Sequence, residues 1–290
     1  MAFSSLAEID AYMKTNKCEF WEAVIREEAR DSQQPEMDIV NRMTQMYRSM
    51  KEADEAYDDS LTSRSGLSGK NGKKMADYAA THKCMCGKFG GAVMARAIKM
   101  AESNACMKRI VAAPTAGACG VLPAVLVNYQ KEKGTADEQI VRALYTAAGI
   151  GQVVAARAYI AGASGGCQAE IGTASAMAAG ALTALGGGTP SQITHAAAMA
   201  LKNLLGLVCD PVGGLVEVPC VKRNVIGSVN ALSAADMALA GIISRIPPDQ
   251  VIDAMREVGD QMHPSLRETG QGGLANTPAA REWCAAQEEE

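Results

Sequence analysis

Apolar residues recur at helical spacing along most of the chain and rarely alternate as they would in a β-strand. Near the amino terminus, Leu6, Ile9 and Met13 share one helical face, which predicts two or three surface helices within residues 1–58. Further helices are predicted near 75–105, over Asp137 to about Ala161, Gln168–Leu185, Pro190 to about Leu205, Asn224–Ile246, about Asp249–Val258 and 278–287. No lasting strand pattern and no repeat of solenoid length occurs, so the fold is predicted to be mainly α.

One predicted helix consists mostly of small residues. The stretch TASAMAAGALTALGGG, residues 173–188, is dominated by Ala, Gly, Ser and Thr. Such short side chains allow neighbouring helix backbones to come close, which favours a position in the middle of the core. The predicted fold is therefore a helical domain whose glycine-rich loops surround a buried small-residue helix. The amino end of that helix, just after Cys167, can support a functional site.

A polar segment divides the chain. Residues 58–74, DDSLTSRSGLSGKNGKK, contain three glycines and four serines, which is typical of a loop. We therefore predict an N-terminal helical arm over 1–58, a loop or linker over 59–74 and a main domain over 75–290. The candidate chemistry lies in the main domain, which makes it the predicted catalytic domain.

The composition supports the helical interpretation and excludes several classes of partner. Of 290 residues, 48% are hydrophobic but only 4% are aromatic, which favours packed helices over aromatic-rich sheets. The net charge is -4 with both signs mixed, so neither nucleic acid nor an anionic membrane is expected as a partner. The uncharged stretches 110–130 and 171–190 are too rich in Gly, Pro, Ala, Ser and Thr for membrane-spanning helices. The first residues lack a signal-type apolar region, which predicts a cytoplasmic protein.

The cysteines are the first candidates for chemistry. They are Cys18, Cys84, Cys86, Cys106, Cys119, Cys167, Cys209, Cys220 and Cys284. An odd number in a chain predicted to be cytoplasmic argues against a disulfide framework and leaves metal binding, catalysis or core packing.

Three of these cysteines lie in glycine-containing loops. Cys167 lies at a predicted helix start in GASGGCQAEIG, where the helix dipole lowers the pKa of a thiol. Cys209 and Cys220 share GLVCDPVGGLVEVPC, whose prolines and glycines hold irregular backbone that suits a bulky ligand. No C-x-x-C run occurs, and 42 positions separate Cys167 from Cys209. Spacing alone therefore leaves open both metal ligation and plain buried thiols.

The remaining cysteines give weaker signals. Cys84 and Cys86 form a C-x-C pair without a matching second pair, which favours chance over a zinc site. Cys106 and Cys119 have the apolar surroundings of core residues, and Cys18 is interpreted as an ordinary thiol.

The histidines and glycine-rich loops give no further catalytic motif. The three histidines are far apart in sequence, and His195 lies on a predicted helix, as a satisfied core histidine does. No Ser–His–Asp or Cys–His arrangement can be assigned from spacing. The segment GLSGKNGKK has the wrong spacing for a phosphate-binding loop, so nucleotide binding is not expected.

A second special segment is AAPTAGACGVLPAVL, residues 112–126. Its turn from Thr115 through Ala116 and Gly117 precedes a predicted helix start, where backbone amides can bind a carboxylate. A tight turn between buried helices explains the same pattern equally well.

Taken together, these motifs resemble the α chain of iron–sulfur-dependent L-serine dehydratases. The resemblance covers roughly 60–290 and is carried by APTAGACGVLPAVL, GGCQAEIGTASAMAAG, LKNLLGLVCDPVGGLVEVPCVKRN and ETGQGGLANTP, in that order. It implies an all-helical chain in which Cys167, Cys209 and Cys220 hold a [4Fe-4S] cluster with one iron left open.

The same resemblance marks candidates for substrate binding. These are Thr115, Ala116, Gly117 and Asn224. The family often has asparagine where this chain has Ala116, so a side-chain role at that position does not carry over. Cys284 is interpreted as an exposed tail thiol, although the resemblance also allows it to cap the open iron when substrate is absent.

The resemblance also implies the reaction and a partner. The open iron binds the hydroxyl of L-serine, a base removes the Cα proton, and the resulting aminoacrylate tautomerises and hydrolyses to pyruvate and ammonia. The chain lacks a β-type domain, so a separate β chain and an oligomeric enzyme are implied, and the base is not identified.

Three alternatives remain open from the sequence. A related cysteine desulfidase would use the same cluster to release sulfide. An electron-transfer protein usually has four protein ligands and a shielded cluster, whereas only three matched cysteines occur here. A non-catalytic helical subunit would have buried thiols without metal.

Overall fold

The computed structural model describes residues 3–288, and these residues form thirteen α-helices and no strand. The helices are α1 (Leu6–Asn16), α2 (Phe20–Ser32), α3 (Glu36–Glu55), α4 (Asn71–Ala80), α5 (Gly87–Ala105), α6 (Val121–Lys133), α7 (Asp137–Arg157), α8 (Gly162–Gly165), α9 (Thr173–Leu185), α10 (Pro190–Lys202), α11 (Cys220–Leu239), α12 (Pro248–Gln261) and α13 (Pro278–Glu288). Strand-like pairing within the described chain is a single bridge between Cys209 and Arg267. The prediction of a mainly α fold is confirmed.

The small-residue helix α9 lies at the centre of the core, as predicted. Every residue from Thr173 to Thr183 is buried, and α9 packs against α6, α7, α10 and α11. A Cβ atom added at Gly180 would lie 2.1 Å from Ile150 Cδ1 on α7, so the two helices approach too closely for a larger side chain. The absence of side-chain bulk therefore allows four neighbours to surround one helix.

The amino-terminal helices pack onto this core. The side chain of Tyr145 on α7 donates a hydrogen bond of 2.5 Å to the Ile39 carbonyl on α3. The Asp249 carboxylate, at the start of α12, accepts a bond of 2.8 Å from the Leu6 backbone N–H. The division into an arm, a linker and a catalytic domain stays a prediction.

The polar segment 59–74 is anchored by two buried carboxylates. Glu102 on α5 accepts three backbone N–H bonds of 2.9–3.1 Å from within residues 69–72. Glu217 accepts hydrogen bonds from the Ser63 and Ser65 hydroxyls at 2.6 and 2.8 Å. Because Glu217 lies in the loop before Cys220, this segment supports one of the cysteine loops.

Several helix boundaries differ from the predicted ones. The helix expected over 75–105 is divided into α4 and α5 by a turn in which His82 has a left-handed φ of 60°. The helix expected from Asn224 begins at Cys220 and ends at Leu239, just before Gly241 with a φ of 86°. The earlier start places Cys220 in the first turn of α11.

Within residues 3–288, no helix combines the length and the apolarity that crossing a bilayer requires.

Candidate active site

The structure brings Cys167, Cys209 and Cys220 into one buried region from three separate segments. Cys167 lies between α8 and a short π-helical turn that leads into α9, and Cys220 is the first residue of α11. Cys209 lies in an extended segment, where its N–H donates to Leu266 O at 2.8 Å and its carbonyl accepts from Glu268 N at 2.7 Å. The three residues are 2%, 2% and 7% exposed, respectively.

The thiols interact electrostatically with one another. The interaction between the neighbouring Cys167 and Cys209 thiols lowers the pKa of Cys167 and, together with burial, raises the pKa of Cys209. Burial raises the pKa of Cys220 to about 12, and the negative charge of Cys167 contributes to that rise. Cys167 is therefore the member of the trio best suited to the thiolate form.

Backbone geometry around Cys167 fixes this loop against the segment before Cys209. Gly166 has a φ of 76°, and a Cβ atom there would lie 2.9 Å from Leu207 O, so only glycine fits. The buried side chain of Gln168 accepts a bond from Gly206 N at 2.9 Å, and its backbone N–H donates to Leu207 O at 2.9 Å. These bonds hold Cys167 beside the chain that carries Cys209.

The predicted substrate-binding turn lies next to the cysteines, and Asn224 connects the two. Asn224 is 1% exposed, and its amide donates to Gly117 O at 2.8 Å and to Cys220 O at 3.0 Å. Its side-chain oxygen accepts from Gly120 N at 2.8 Å. Asn224 is thus held by the backbone of the site, while Ala116 is exposed at the start of the turn.

Sequence reasoning missed Glu170, whose carboxylate lies between the turn and the cysteines. A Cβ atom at Gly117 would lie 3.2 Å from Glu170 Oε1, and one at Gly162 would lie 2.9 Å from Glu170 Oε2 and 2.8 Å from Cys209 Sγ. Burial raises the pKa of Glu170, which the neighbouring Thr115 hydroxyl partly offsets. That hydroxyl is buried and has no hydrogen bond of standard geometry within residues 3–288.

Two further charged residues were missed. Glu268 Oε2 would lie 3.3 Å from the same Cβ position at Gly162, and Arg223 reaches the Cys167 sulfur from α11. A sequence signal existed for Glu170, because it is the only acidic residue between Glu138 and Asp210. No comparable signal marks Glu268 or Arg223, since acids and bases are common around them.

The cysteines outside the trio take other positions. Cys119 is fully buried, and burial raises its pKa to about 12. Cys284, expected as an exposed tail thiol, is half-buried on α13, and a Cβ atom at Gly213 would lie 3.8 Å from its sulfur. Helix α13 therefore packs on the loop between Cys209 and Cys220. A role for Cys284 in capping an iron stays a prediction.

The donor set distinguishes between kinds of metal centre. Within the described residues, no three His, Cys, Asp or Glu side chains stand close enough to hold a single metal ion. A mononuclear zinc site needs such convergence, since Zn–S bonds are about 2.3 Å long. An iron–sulfur cluster takes thiolates on different irons, so its ligands stand further apart. Three buried thiols on separate segments fit that second requirement.

Comparison with known proteins identifies the family. Residues 15–275 match the family model described as serine dehydratase alpha chain. The chain belongs to this family. The resemblance inferred from the cysteine motifs is confirmed, and because dehydratases are lyases, the chain is a member of an enzyme family of the lyase class.

Relatives named as L-serine dehydratases, or as their alpha chains, differ in length. The probable L-serine dehydratase, alpha chain, of Bacillus subtilis (strain 168) is 46% identical over 280 residues, covering 97% of this chain and 93% of the relative. The L-serine dehydratase, alpha chain, of Peptoniphilus asaccharolyticus is 50% identical over 71% of this chain and 70% of its own. The L-serine dehydratase TdcG of Escherichia coli (strain K12) is 46% identical over 62% of this chain, but the match covers only 40% of that longer protein.

Proposed function

We propose that this chain is the α chain of an L-serine dehydratase that converts L-serine to pyruvate and ammonia. We further propose that Cys167, Cys209 and Cys220 hold a [4Fe-4S] cluster. The observation that carries the proposal is the convergence of these three buried cysteines beside the 115–117 turn. A partly buried carboxylate, Glu170, and the buried Thr115 hydroxyl, which has no hydrogen bond of standard geometry, lie beside them.

When bound, the cluster would supply a Lewis-acidic iron without a cysteine ligand, at which the substrate hydroxyl becomes a better leaving group. The chain's own residues orient the substrate. The first hydrogen bond within this turn runs from Ala118 N to Thr115 O at 3.3 Å. The N–H groups of Ala116 and Gly117 come before it in the chain and take no part in it. They are therefore suited to bind a substrate carboxylate.

Glu170 is suited to bind the ammonium group of the substrate. Its carboxylate lies beside both Gly117 and Cys209, so it faces both parts of the site. Within the described residues, neither Glu170 nor Glu268 forms an ion pair with lysine or arginine. A cationic ligand would thus stabilise a partly buried carboxylate that has no ion-pair partner among the described residues.

A β chain completes the proposed enzyme. The alpha chains of Bacillus subtilis and Peptoniphilus asaccharolyticus have lengths similar to this one, whereas the longer Escherichia coli relative contains a further part in the same polypeptide. We propose that a separate β chain supplies that part, including the base for the Cα proton, and that the complex is oligomeric. All nine cysteines are free, which suits a cytoplasmic location.

The central test is anaerobic reconstitution with iron and sulfide, with and without a partner β chain, followed by a pyruvate assay. We expect a coloured, iron-containing protein that forms pyruvate from L-serine when both chains are present. A protein that stays colourless and iron-free would contradict the cluster. Pyruvate and sulfide from L-cysteine, without turnover of L-serine, would instead indicate a cysteine desulfidase.

Replacing Glu170 by glutamine should weaken substrate binding while leaving the cluster in place. Loss of a charged hydrogen bond of about 1.5–3 kcal/mol corresponds to a roughly 10- to 100-fold rise in KM for L-serine. Glu102→Gln is the control, because Glu102 is a buried carboxylate that binds the backbone of residues 69–72, away from the cysteines. The control should lower thermal stability without raising KM. An unchanged KM in Glu170→Gln would contradict this assignment.

A further inference from the structure

Arg223 binds the backbone and side chain on both sides of Cys209. Its Nη1 donates to Val208 O at 2.7 Å, and its Nη2 donates to Asp210 Oδ1 at 2.8 Å. The arginine side chain is 13% exposed and that of Asp210 is 4% exposed, so the ion pair is largely removed from water. One guanidinium therefore fixes the position of Cys209 from two directions.

The same guanidinium also connects the other two cysteines. Arg223 lies on α11, one turn after Cys220, so its backbone moves with that residue. Its guanidinium also lies near the Cys167 sulfur, so its positive charge acts on that thiol. Arg223 therefore interacts with all three cysteine segments.

The chemistry of arginine suits this position. A guanidinium presents five N–H donors in a rigid plane, so it can bond a carbonyl, a carboxylate and a sulfur at once. A lysine ammonium retains the charge but not the planar fork. Asp210 pairs with one side of the guanidinium, and its second oxygen accepts a bond from Leu274 N at 2.8 Å. Because the carboxylate also binds this backbone N–H, it offsets the guanidinium charge less strongly than an unshared carboxylate would.

We propose that Arg223 is a positioning residue. It holds the three cysteines in the relative positions that binding a cluster requires, and it balances the negative charge of their thiolates. The inference rests on the proposed cluster and extends it, because it names the residue on which retention and electronic tuning of the cluster depend. Partners outside the direct ligands typically change metal affinity by about 10- to 100-fold when removed. Nearby charges and hydrogen bonds to sulfur also set the reduction potential of iron–sulfur clusters.

The test compares Arg223→Gln, Arg223→Lys and Arg96→Gln in the full chain after anaerobic reconstitution. Arg96 is the matched control: it forms a similarly buried pair with Asp54, at 2.8 Å and with exposures of 12% and 8%, and it bonds Asn128 but no cysteine. Iron and sulfide per chain, the cluster absorption spectrum, its reduction potential and the thermal midpoint are measured for each variant.

We expect Arg223→Gln to bind iron about 10-fold less tightly, which is typical when a residue that supports the metal ligands is removed. The reduction potential of any remaining cluster should shift to more negative values, because a positive charge is lost. Arg223→Lys should keep the potential near that of the wild type but still lose iron faster. Arg96→Gln should lose thermal stability and keep its cluster.

Other results would overturn the proposal. Wild-type iron retention and potential in Arg223→Gln would show that the arginine does not act on the cluster. Equal iron loss in Arg96→Gln would show that any buried ion pair has this effect. If the unaltered chain, reconstituted with its β chain, takes up no iron and sulfide, the proposed function itself fails and this inference fails with it. If the unaltered chain takes up iron and sulfide normally, the proposed cluster stands and the variants test the role of Arg223 alone.

Discussion

Replacing Cys167, Cys209 or Cys220 by alanine, one at a time, should remove the cluster and abolish pyruvate formation from L-serine. Each thiol is buried and comes from a different segment, so each variant removes one ligand of the proposed cluster without altering the other two segments. Loss of a direct ligand should lower metal affinity by more than the roughly 10- to 100-fold that is typical when a residue supporting the ligands is removed. Iron and sulfide analysis, the visible spectrum and the pyruvate assay measure the result in anaerobically reconstituted protein.

The control for this series is Cys119→Ala. Cys119 is as buried as the trio, and its thiol makes one long contact of 3.7 Å with the Met100 carbonyl. Removing this thiol should lower the free energy of unfolding by about 1 kcal/mol, as an average substitution does, and leave the iron content unchanged. Activity retained in any one of the three trio variants would remove that residue from the ligand set.

Replacing Asn224 by alanine should reduce activity by about 100-fold, because displacement of a site by about 1 Å has effects of that size. The asparagine joins the 115–117 turn to Cys220 through bonds to Gly117, Gly120 and Cys220. Without it, a buried N–H and buried carbonyls lose their partners, which should lower the free energy of unfolding by about 1–3 kcal/mol. Denaturant unfolding and kcat measurements distinguish the two effects.

Two further variants define what Asn224 does. Asn224→Asp keeps the acceptor for Gly120 N but cannot donate to Gly117 O or Cys220 O, so it should also lose activity. Asn230→Ala is the control on the same helix, since Asn230 bonds Ser175 Oγ and Ala200 O away from the cysteines. A loss of activity in Asn230→Ala as large as that in Asn224→Ala would indicate a general effect on α11.

Local signals were sufficient for much of the fold. The sequence predicts a helix that begins at Pro190, and α10 begins there, with Thr189 as its N-cap and a capping box between Thr189 and Gln192. The composition of residues 173–188 was sufficient to predict a buried helix, because small side chains allow neighbouring helices to pack closely around it. These features depend on neighbours in sequence, which is why they can be recognised without a structure.

Features that depend on distant partners could not be predicted. The segment 59–74 has the composition of a free loop, yet Ser63 bonds Glu217, which lies 154 positions further along the chain. Glu170 stands alone as an acid in its region, but only the folded chain places it between Gly117 and Cys209. The cysteine trio was selected by the surrounding motifs, whereas the contacts of Arg223 with their segments required coordinates.

The pairing of Cys209 with residues 266–268 has a consequence for biosynthesis. The backbone of Cys209 donates to Leu266 O and accepts from Glu268 N, so this thiol acquires its fixed position only when that later segment arrives. During translation, residues 167, 209 and 220 leave the ribosome well before residue 268. The native arrangement of the three thiols therefore requires the C-terminal region, and we expect insertion of the proposed cluster to follow synthesis of that region.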